Sequence, residues 1–240
     1  MAEAKHHHEP IIEIKGLKKR FKVGNKSIEA LRGIDLSIYA AEFLIIFGPS
    51  GCGKSTLLNI IAGLDTPTEG KVEVRDTDIF RLDEDKRGIF RSKKIGMIHQ
   101  MPHWIKSLNV LENIALPLII EGLTEKQALS VAQNIMANLK ITQLADQIPT
   151  QLSGGEQQQA GLARSLVSSP WIILADEPTG NLDSTSADQI MAVFDHLSRG
   201  LKRTIILVTH NQSYWSLGSR RIEMKDGLIV DESSHNKRIY

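Results

Sequence analysis

This chain has little cysteine and almost no net charge, and each of these features argues against a class of protein. Cys52 is the single cysteine among 240 residues, so an internal disulfide is impossible and a reducing compartment is favoured. The 29 basic residues balance 28 acidic ones, for a net charge of +1, which argues against the broad positive field of a protein that binds nucleic-acid phosphates. We therefore expect no nucleic-acid partner.

The hydrophobic regions are also too interrupted to cross a membrane. A spanning helix needs roughly 18 to 20 apolar residues, and charged residues or prolines break the most hydrophobic stretches, at Glu42, Glu112, Pro117 and Glu121. Residues 1–8 include the run His6-His7-His8 but no apolar signal core. We expect residues 1–9 to form a disordered tail and residues 10–240 to form a single domain.

Short apolar runs predict the strands of an α/β fold. They are Ile11–Lys15, Glu42–Phe47, Lys71–Val74, Ile95–Ile98, Trp171–Ala175 and Thr204–Val208. The last two are continuous apolar runs, which is typical of parallel strands buried on both faces. Between them, apolar residues recur at helical spacing from Ala187 to Leu197, and Gly200 supplies a stop, so the pattern predicts a βαβ unit.

Residues 101–168 differ from this pattern and predict a mostly helical insertion. Thr124 and Gln127 form a capping box before a helix that runs to about Lys140, and Pro117 and Pro149 punctuate the region. Its apolar stripes predict core packing rather than a cofactor site; they comprise Leu111, Ile114, Leu118, Leu129, Ile135, Met136 and Leu139.

A glycine-rich loop directly after the run Glu42–Phe47 predicts a phosphate site. It consists of Gly48, Pro49, Ser50, Gly51, Cys52, Gly53, Lys54, Ser55 and Thr56, and we call it the phosphate loop. Its glycines let backbone N–H groups turn toward a polyphosphate, Lys54 neutralises the distal charge, and the Ser55 hydroxyl suits magnesium. Cys52 inside this loop indicates packing rather than redox chemistry.

The residues that follow two of the predicted strands indicate a site for phosphate and water chemistry. Asp176 and Glu177 follow the run Trp171–Ala175, and His210 follows Thr204–Thr209, so a parallel sheet would bring them to one edge. Asp176 would organise magnesium, Glu177 would orient or deprotonate water, and His210 would contact a terminal phosphate. The alternatives are that the adjacent acids are plain surface and that the histidine is structural.

The segment Leu152–Glu156, which we call the signature segment, predicts a second anion site. Ser153 and Glu156 form a capping box, and Gly154 and Gly155 leave bare N–H groups at the helix start. Because the chain already has a phosphate loop, this helix start suggests contact with a nucleotide that another subunit holds.

Taken in order along the chain, these motifs resemble the ATP-binding cassette ATPase over roughly residues 11–230. They are GPSGCGKST at 48–56, Gln100 after Ile95–Ile98, LSGGE at 152–156, IILADEP at 172–178, Asn181-Leu182-Asp183, and His210. The resemblance implies a P-loop NTPase core with a mostly parallel sheet, an N-terminal antiparallel β subdomain and a helical insertion. It also implies ATP and Mg²⁺ as cofactors.

The resemblance assigns a role to each motif residue. Lys54, Glu177 and His210 would be catalytic, with Glu177 as the base and His210 as the γ-phosphate switch. The metal would be held by Ser55, Gln100 and Asp176. Nucleotide would be bound by the phosphate loop and by Phe21, Gln100, Ser153, Gly154, Gly155, Glu156 and Asp183. The signature segment would complete the opposite subunit's site, and Asp183 would lie in the loop that crosses the interface. Phe21 would stack on adenine, although it could equally pack locally.

Three stretches resemble the branch that serves lipoprotein release and macrolide export: residues 63–70, 108–118 and 175–183. This branch implies a homodimer formed on ATP binding and a separate membrane permease, with the chain attached to the cytoplasmic face of the plasma membrane. Substrate identity does not follow, because the permease contacts the cargo. There are two alternatives. A nucleotide-gated regulatory subunit of a cell-envelope or cell-division complex would keep every motif. A soluble cassette that acts on nucleic acid would usually carry tandem cassettes, long coiled-coil insertions or basic extensions, and this chain shows none of them.

The chain departs from the family pattern in two places. Gln159 stands where many relatives carry a cation, and Gly161 two residues later should weaken its helix by about 1 kcal/mol relative to alanine. Near Gln100, the atypical residues are His99, Met101, His103 and Trp104. They indicate either adaptation to a particular permease or neutral drift.

Overall fold

The computed structural model describes residues 9–234. The expected tail lies outside the described residues, apart from Glu9. Within residues 9–234 no helix is long and apolar enough to span a bilayer.

The strands and helices alternate over most of the chain. The strands are β1 (Pro10–Val23), β2 (Lys26–Tyr39), β3 (Phe43–Phe47), β4 (Glu69–Val74), β5 (Thr77–Asp78), β6 (Ile95–Ile98), β7 (Ile172–Asp176), β8 (Thr204–Val208), β9 (Arg220–Lys225) and β10 (Leu228–Ser234). The helices are α1 (Lys54–Ile61), α2 (Glu84–Lys94), α3 (Val110–Ile120), α4 (Glu125–Asn138), α5 (Gly154–Leu166) and α6 (Ser184–Arg199). Short 3₁₀ segments connect them at Thr142–Leu144, Pro149–Gln151 and Gln212–Leu217.

The central sheet has the order β10-β9-β3-β8-β7-β6, and all of its neighbours are parallel except β9 and β10. Its middle strands are buried on both faces, as their continuous apolar runs predict. One face packs on α1 and the second sheet, and the other packs on α6 around Phe194. Because β6, β7, β8 and β3 are parallel neighbours, their carboxyl ends lie along one edge.

The second sheet is antiparallel, with the order β2-β1-β4-β5, as the family resemblance implies. Strand β1 continues well past the predicted Ile11–Lys15, and β2 was not predicted at all. Both strands carry charged residues on their exposed face, and register shifts occur between Ile14 and Leu17 and between Lys19 and Arg20. These irregularities disrupt the alternation that identifies a strand in a sequence.

Helices α3, α4 and α5 pack around a core of their own. Its fully buried members include Val110, Ile114, Ala128, Ala132 and Ala160. The predicted stripes belong to this cluster, with Ile114, Leu118 and Met136 buried and the others partly buried against it. Pro117 was expected to punctuate the region, but it lies inside α3 close to the helix end, where only the last turn is affected.

Trp171 joins the two sheets at the start of β7. Its ring centroid lies 3.8 Å from the guanidinium of Arg75, in the turn after β4, and 3.7 Å from Lys94 Nζ at the end of α2. These two cation–π contacts connect the turn after β4 and the end of α2 to the start of β7, on the side of the sheet opposite the carboxyl ends of the strands.

Candidate functional site

The phosphate loop connects β3 to α1 through three glycines with positive φ. Gly48, Gly51 and Gly53 have φ values of +143°, +79° and +105°. An added Cβ at Gly48 would collide with the Met224 carbonyl, and one at Gly53 would come 2.5 Å from Ala30 O. The loop therefore needs glycine both for its backbone conformation and for its close approach to β9 and β2.

Helix α1 begins without a capping side chain and without an acidic residue in its first turn. Its first N–H groups are thus available to an anion, and the helix dipole favours negative charge at this end. The Lys54 ammonium lies inside the loop, 2.8 Å from Gly48 O and 2.9 Å from Pro49 O. Ser55 is exposed, and Cys52 is buried in the core, which agrees with the packing role predicted for it.

Strand β2 connects Phe21 to the phosphate loop. It pairs with Ile28 across the antiparallel sheet, and Ala30 two residues further on touches Gly53. The ring is 38% exposed, and Lys19 Nζ lies 4.8 Å from its centroid. Lys19 itself is held by Asp65 Oδ1 at 2.5 Å, in the loop after α1. The ring is therefore partly exposed and in contact with a cation, and its stacking on adenine stays a prediction.

Glu177 and His210 meet at the ends of β7 and β8. His210 Nδ1 lies 2.9 Å from Glu177 Oε2, and the Glu177 carboxylate is largely shielded whereas the imidazole is exposed. Glu177 N donates a hydrogen bond to Val208 O, which fixes the residue on β8. Its φ of +46° is the left-handed region, which a non-glycine residue adopts at an energetic cost.

Asp176 and Gln100 complete this edge. Asp176 is the last residue of β7 and pairs with Val208. Gln100 follows β6 and packs on the loop after Glu177, because an added Cβ at Gly180 would come 3.0 Å from Gln100 Nε2. In the order β6, β7, β8, β3, the edge presents Gln100, then Asp176 with Glu177, then His210, then the phosphate loop.

The signature segment begins α5 and forms the predicted capping box. Glu156 Oε2 accepts hydrogen bonds from Ser153 N at 2.9 Å and Ser153 Oγ at 2.7 Å. These bonds, led by the one from the Ser153 side chain, lower the pKa of Glu156. Ser153 and Gly154 are exposed. Among residues 9–234, no hydrogen bond or ion pair joins this segment to Lys54, Glu177 or His210.

Asp183 is the N-cap of α6 rather than a residue of the sheet edge. It accepts hydrogen bonds from Ser186 N at 2.9 Å and Ser186 Oγ at 2.7 Å, and the backbone bond is the larger cause of its lowered pKa. The start of α6 touches the start of α5, since an added Cβ at Gly155 would come 2.7 Å from Ser186 Oγ. Asp183 and the signature segment thus form one surface.

The residues around Gln100 contact α5 extensively, which the sequence motifs did not indicate. Gln157, Gln158 and Arg164 of α5 all contact the segment of residues 99–104. The only signals in the sequence were the departures near Gln100 and at Gly161. Gln159 instead bonds Gln189 Oε1 of α6 at 2.8 Å.

The residues present fit a nucleotide and its metal. The glycine cradle and the open start of α1 suit a polyphosphate, and the Ser55 hydroxyl, Gln100 and Asp176 supply oxygen donors of the kind that Mg²⁺ prefers. The described part of the chain has no group of three or more His, Cys, Asp or Glu side chains that could hold a metal ion by itself. Mg²⁺ ordinarily keeps several waters and takes ligands from phosphates, so it needs no such cluster.

A parallel sheet with a phosphate loop at one strand end and a carboxylate–imidazole pair at the next ends defines a P-loop ATPase. A family model described as ABC transporter matches residues 31–180. The chain therefore belongs to the ABC transporter family.

Relatives with known names support the same conclusion over most of the chain. The lipoprotein-releasing system ATP-binding protein LolD of Shewanella frigidimarina is 36% identical over 219 residues, covering 91% of this chain and 92% of LolD. The ABC transporter ATP-binding protein MJ1508 of Methanocaldococcus jannaschii is 42% identical over 222 residues, covering 92% and 98%. The macrolide export ATP-binding/permease protein MacB of Shigella sonnei is 40% identical over 92% of this chain, which spans only 34% of MacB.

Among solved structures, the dimeric ATP-binding cassette MJ0796 in a post-hydrolysis state bound to ADP and phosphate has a TM-score of 0.88. It is 38% identical, and the match covers 93% of this chain and 98% of that one. The predicted fold, the resemblance to the ATP-binding cassette family and the assignment to the ATPase class are thereby confirmed.

Proposed function

We propose that this chain is the ATP-hydrolysing subunit of a transporter whose permease is a separate membrane protein of the lipoprotein-release or macrolide-export type. Two copies close head to tail around two Mg-ATP molecules, and this closure drives the permease. The observation that carries the proposal is the Glu177–His210 pair, which lies on the same sheet edge as the phosphate loop.

When the phosphate loop binds the nucleotide, some contacts within the loop are replaced by contacts to phosphate. Lys54 exchanges its bonds to Gly48 O and Pro49 O for bonds to phosphate oxygens, and the N–H groups at the start of α1 hold the remaining charge. Phe21 stacks on the adenine. Ser55, Gln100 and Asp176 would hold a magnesium ion, and its positive charge would offset the negative charge of the β- and γ-phosphates.

Glu177 orients the attacking water and accepts its proton. Its shielded carboxylate and fixed backbone hold Oε2 in one place, which is what positional catalysis of phosphoryl transfer requires. His210 donates to the γ-phosphate and keeps Glu177 in place through the 2.9 Å contact.

The signature segment acts on the partner copy. It carries an exposed helix start with two glycines and makes no polar contact with its own chain's phosphate loop. Ser153 Oγ and the N–H groups of Gly154 and Gly155 bind the γ-phosphate held by the partner. Asp183, beside this surface, faces the same interface.

The permease docks between α2 and α3. A cleft of about 170 Å³ separates them, with walls that include Ser92, Met97, Pro117 and Arg164. Large apolar side chains are exposed on α2, on α3 and shortly after Gln100, namely Ile89, Ile120, Met101 and Ile105. Exposed apolar residues of this kind fit an amphipathic helix. The chain is accordingly peripheral, on the cytoplasmic face of the plasma membrane.

Replacement of the catalytic base tests the proposal. Glu177→Gln should keep ATP affinity, lose hydrolysis by about 10²-fold or more, and accumulate an ATP-dependent dimer on a sizing column. Glu125→Gln, an exposed amide substitution in the first turn of α4, is the matched control and should hydrolyse normally. Full turnover by Glu177→Gln would refute the assignment.

A co-purified permease should raise ATPase activity; if it does not, the regulatory alternative is favoured.

A further inference from the structure

A cleft of about 720 Å³ lies at the amino ends of β7 and β8, on the side of the central sheet opposite the phosphate loop. It is lined by residues of α4, of the end of α5 and the turn after it, of α6, and of the connection from α6 to β8. A volume of this size is typical of small-molecule sites, which measure roughly 300 to 1,000 Å³. None of the residues assigned above to nucleotide or metal lines the cleft.

The base of the cleft is apolar and aliphatic. Val167 is 4% exposed, Leu197 is 7% exposed, and Pro170 is also buried. Ile135 of α4 and Val193 of α6 line the cleft from its two sides and are partly buried. No Phe, Tyr or Trp side chain is among the lining residues. Such a lining suits a hydrocarbon chain better than a stacked ring.

The rim of the cleft is polar and carries positive charge. Asn138, Ser169 and His196 line it and are exposed. Arg203 Nη2 donates to Ser169 Oγ at 2.8 Å, and Arg203 N donates to Leu197 O at 3.0 Å, so both the side chain and the backbone of this arginine are held. No Asp or Glu side chain lines the cleft, and Arg203 has no ion pair within residues 9–234.

Arg220 shows by contrast what Arg203 lacks. It begins β9, at the same end of the central sheet, and its guanidinium is paired with Glu42 Oε1 at 2.6 Å and with Glu232 Oε1 at 3.0 Å. The guanidinium of Arg203 is bonded to a neutral hydroxyl and has further N–H donors. A carboxylate from outside the chain can therefore accept two of them at once without displacing an acidic residue.

We propose that this cleft binds an amphiphile with one carboxylate and a hydrocarbon body, of the fatty-acid class. The hydrocarbon covers Val167 and Leu197, and the carboxylate accepts hydrogen bonds from the Arg203 guanidinium and the Ser169 hydroxyl at the rim. The bound molecule contacts α4, which belongs to the core of the helical layer, and α6, which packs on the sheet. This site goes beyond the proposed function and does not rest on it.

The test measures the binding of cis-parinarate, a fluorescent unbranched carboxylate, to the full chain without nucleotide. Titration should show saturable binding of one probe per chain. The methyl ester of the same probe lacks the charge and should bind about tenfold more weakly. Saturated carboxylates should compete with the probe, and their affinity should rise by up to about fourfold with each added methylene group until the cleft is filled.

Two variants with matched controls locate the site. Arg203→Gln should weaken binding of the acid about tenfold and leave binding of the ester unchanged, so that the preference for the acid disappears. Arg199→Gln, an exposed arginine of α6 that does not line the cleft, should keep the preference. Asn138→Trp places a ring at the rim from an exposed position and should abolish binding of both probes. Ala137→Trp, at the exposed neighbouring residue that does not line the cleft, should bind both normally.

Equal binding by the parent and Asn138→Trp would overturn the proposal, because the probe would then bind elsewhere. Equal affinity of the unsubstituted chain for acid and ester would refute the carboxylate, and this comparison needs no variant to fold. A preference for the acid that survives in Arg203→Gln would refute the role of the arginine. A nucleotide-free dimer in sedimentation that Asn138→Trp abolishes would mean that a second copy fills the cleft, which also contradicts the proposal. None of these measurements uses ATP hydrolysis, so failure of the proposed function is a separate result.

Discussion

The two halves of the composite site are built in different ways. The phosphate loop, Glu177 and His210 lie at the ends of strands that are buried on both faces, in the largest core of the protein. The signature segment lies at an exposed helix start, in a helical layer that packs around its own smaller core. The first half is fixed by the sheet, and the second is fixed only by α5 and its neighbours.

Because of this difference, we expect substitutions in the two halves to affect nucleotide binding and ATP turnover differently. In the proposed function, the sheet edge would supply the charge partners of a nucleotide from within one chain. The signature segment would supply a few donors across the interface to the partner copy. Substitutions in the phosphate loop should therefore lower both ATP binding and hydrolysis, and substitutions in the signature segment should lower hydrolysis while sparing the ATP affinity of a single chain.

Lys54→Ala should have the largest effect. It removes the cation that the phosphate loop contributes, so both ATP binding and hydrolysis should fall, the latter by about 10² to 10³-fold. Equilibrium binding of a fluorescent ATP analogue and a phosphate-release assay measure the two losses. Lys126→Ala, on α4 and away from the sheet edge, should match the unsubstituted chain in both assays. Normal ATP binding by Lys54→Ala would contradict the assignment of the sheet edge.

Ser153→Ala should have a smaller and more selective effect. It removes the cap of α5, which costs about 1 kcal/mol of stability, and it removes the hydroxyl presented to the partner's nucleotide. Turnover should fall about ten- to a hundredfold while single-chain ATP affinity stays unchanged. Asn109→Ala is a close control, because Asn109 and Glu112 form the same kind of capping box at the start of α3. It should lose similar stability and keep normal turnover; an equal loss of turnover would show that Ser153 acts only as a cap.

The smallest effect is expected at His99. Burial, with the charge of His103 next, lowers the pKa of His99; Arg164 lowers it further and Asp176 opposes the shift. Because the unfolded chain binds this proton more readily, stability should increase with pH from the lowered folded value up to the ordinary 6.5, and fall again on acidification. Melting temperatures at about pH 5.5 and about pH 7.5 should differ less in His99→Gln than in the parent. An unchanged difference would mean that His99 does not contribute to it.

The same contrast explains what could be predicted from the sequence. The strands β3, β6, β7 and β8 were predicted nearly to their ends, because continuous apolar runs and the motifs after them mark both strand and site. Strand β2 and most of β1 were missed, because bulges and exposed charges obscure their alternation.

Contacts between distant segments could not be predicted from the sequence, for a different reason. Trp104 lies far from Gln157 and Arg164 along the chain, so only the packing of residues 99–104 on α5 brings the three residues together. Gly161 appeared as a local weakness of a helix. In the folded chain it is the space that Pro102 fills.

The left-handed backbone at Glu177 determines how mutations at this position change the stability and the activity of the protein. The conformation is intrinsically unfavourable for a residue with a side chain, and Glu177→Gly would relieve this strain while removing the proposed catalytic base. Heat resistance and turnover are therefore opposed at this position. A selection for thermal robustness alone would drift toward an inactive enzyme, so any such screen of this chain must include turnover as a second criterion.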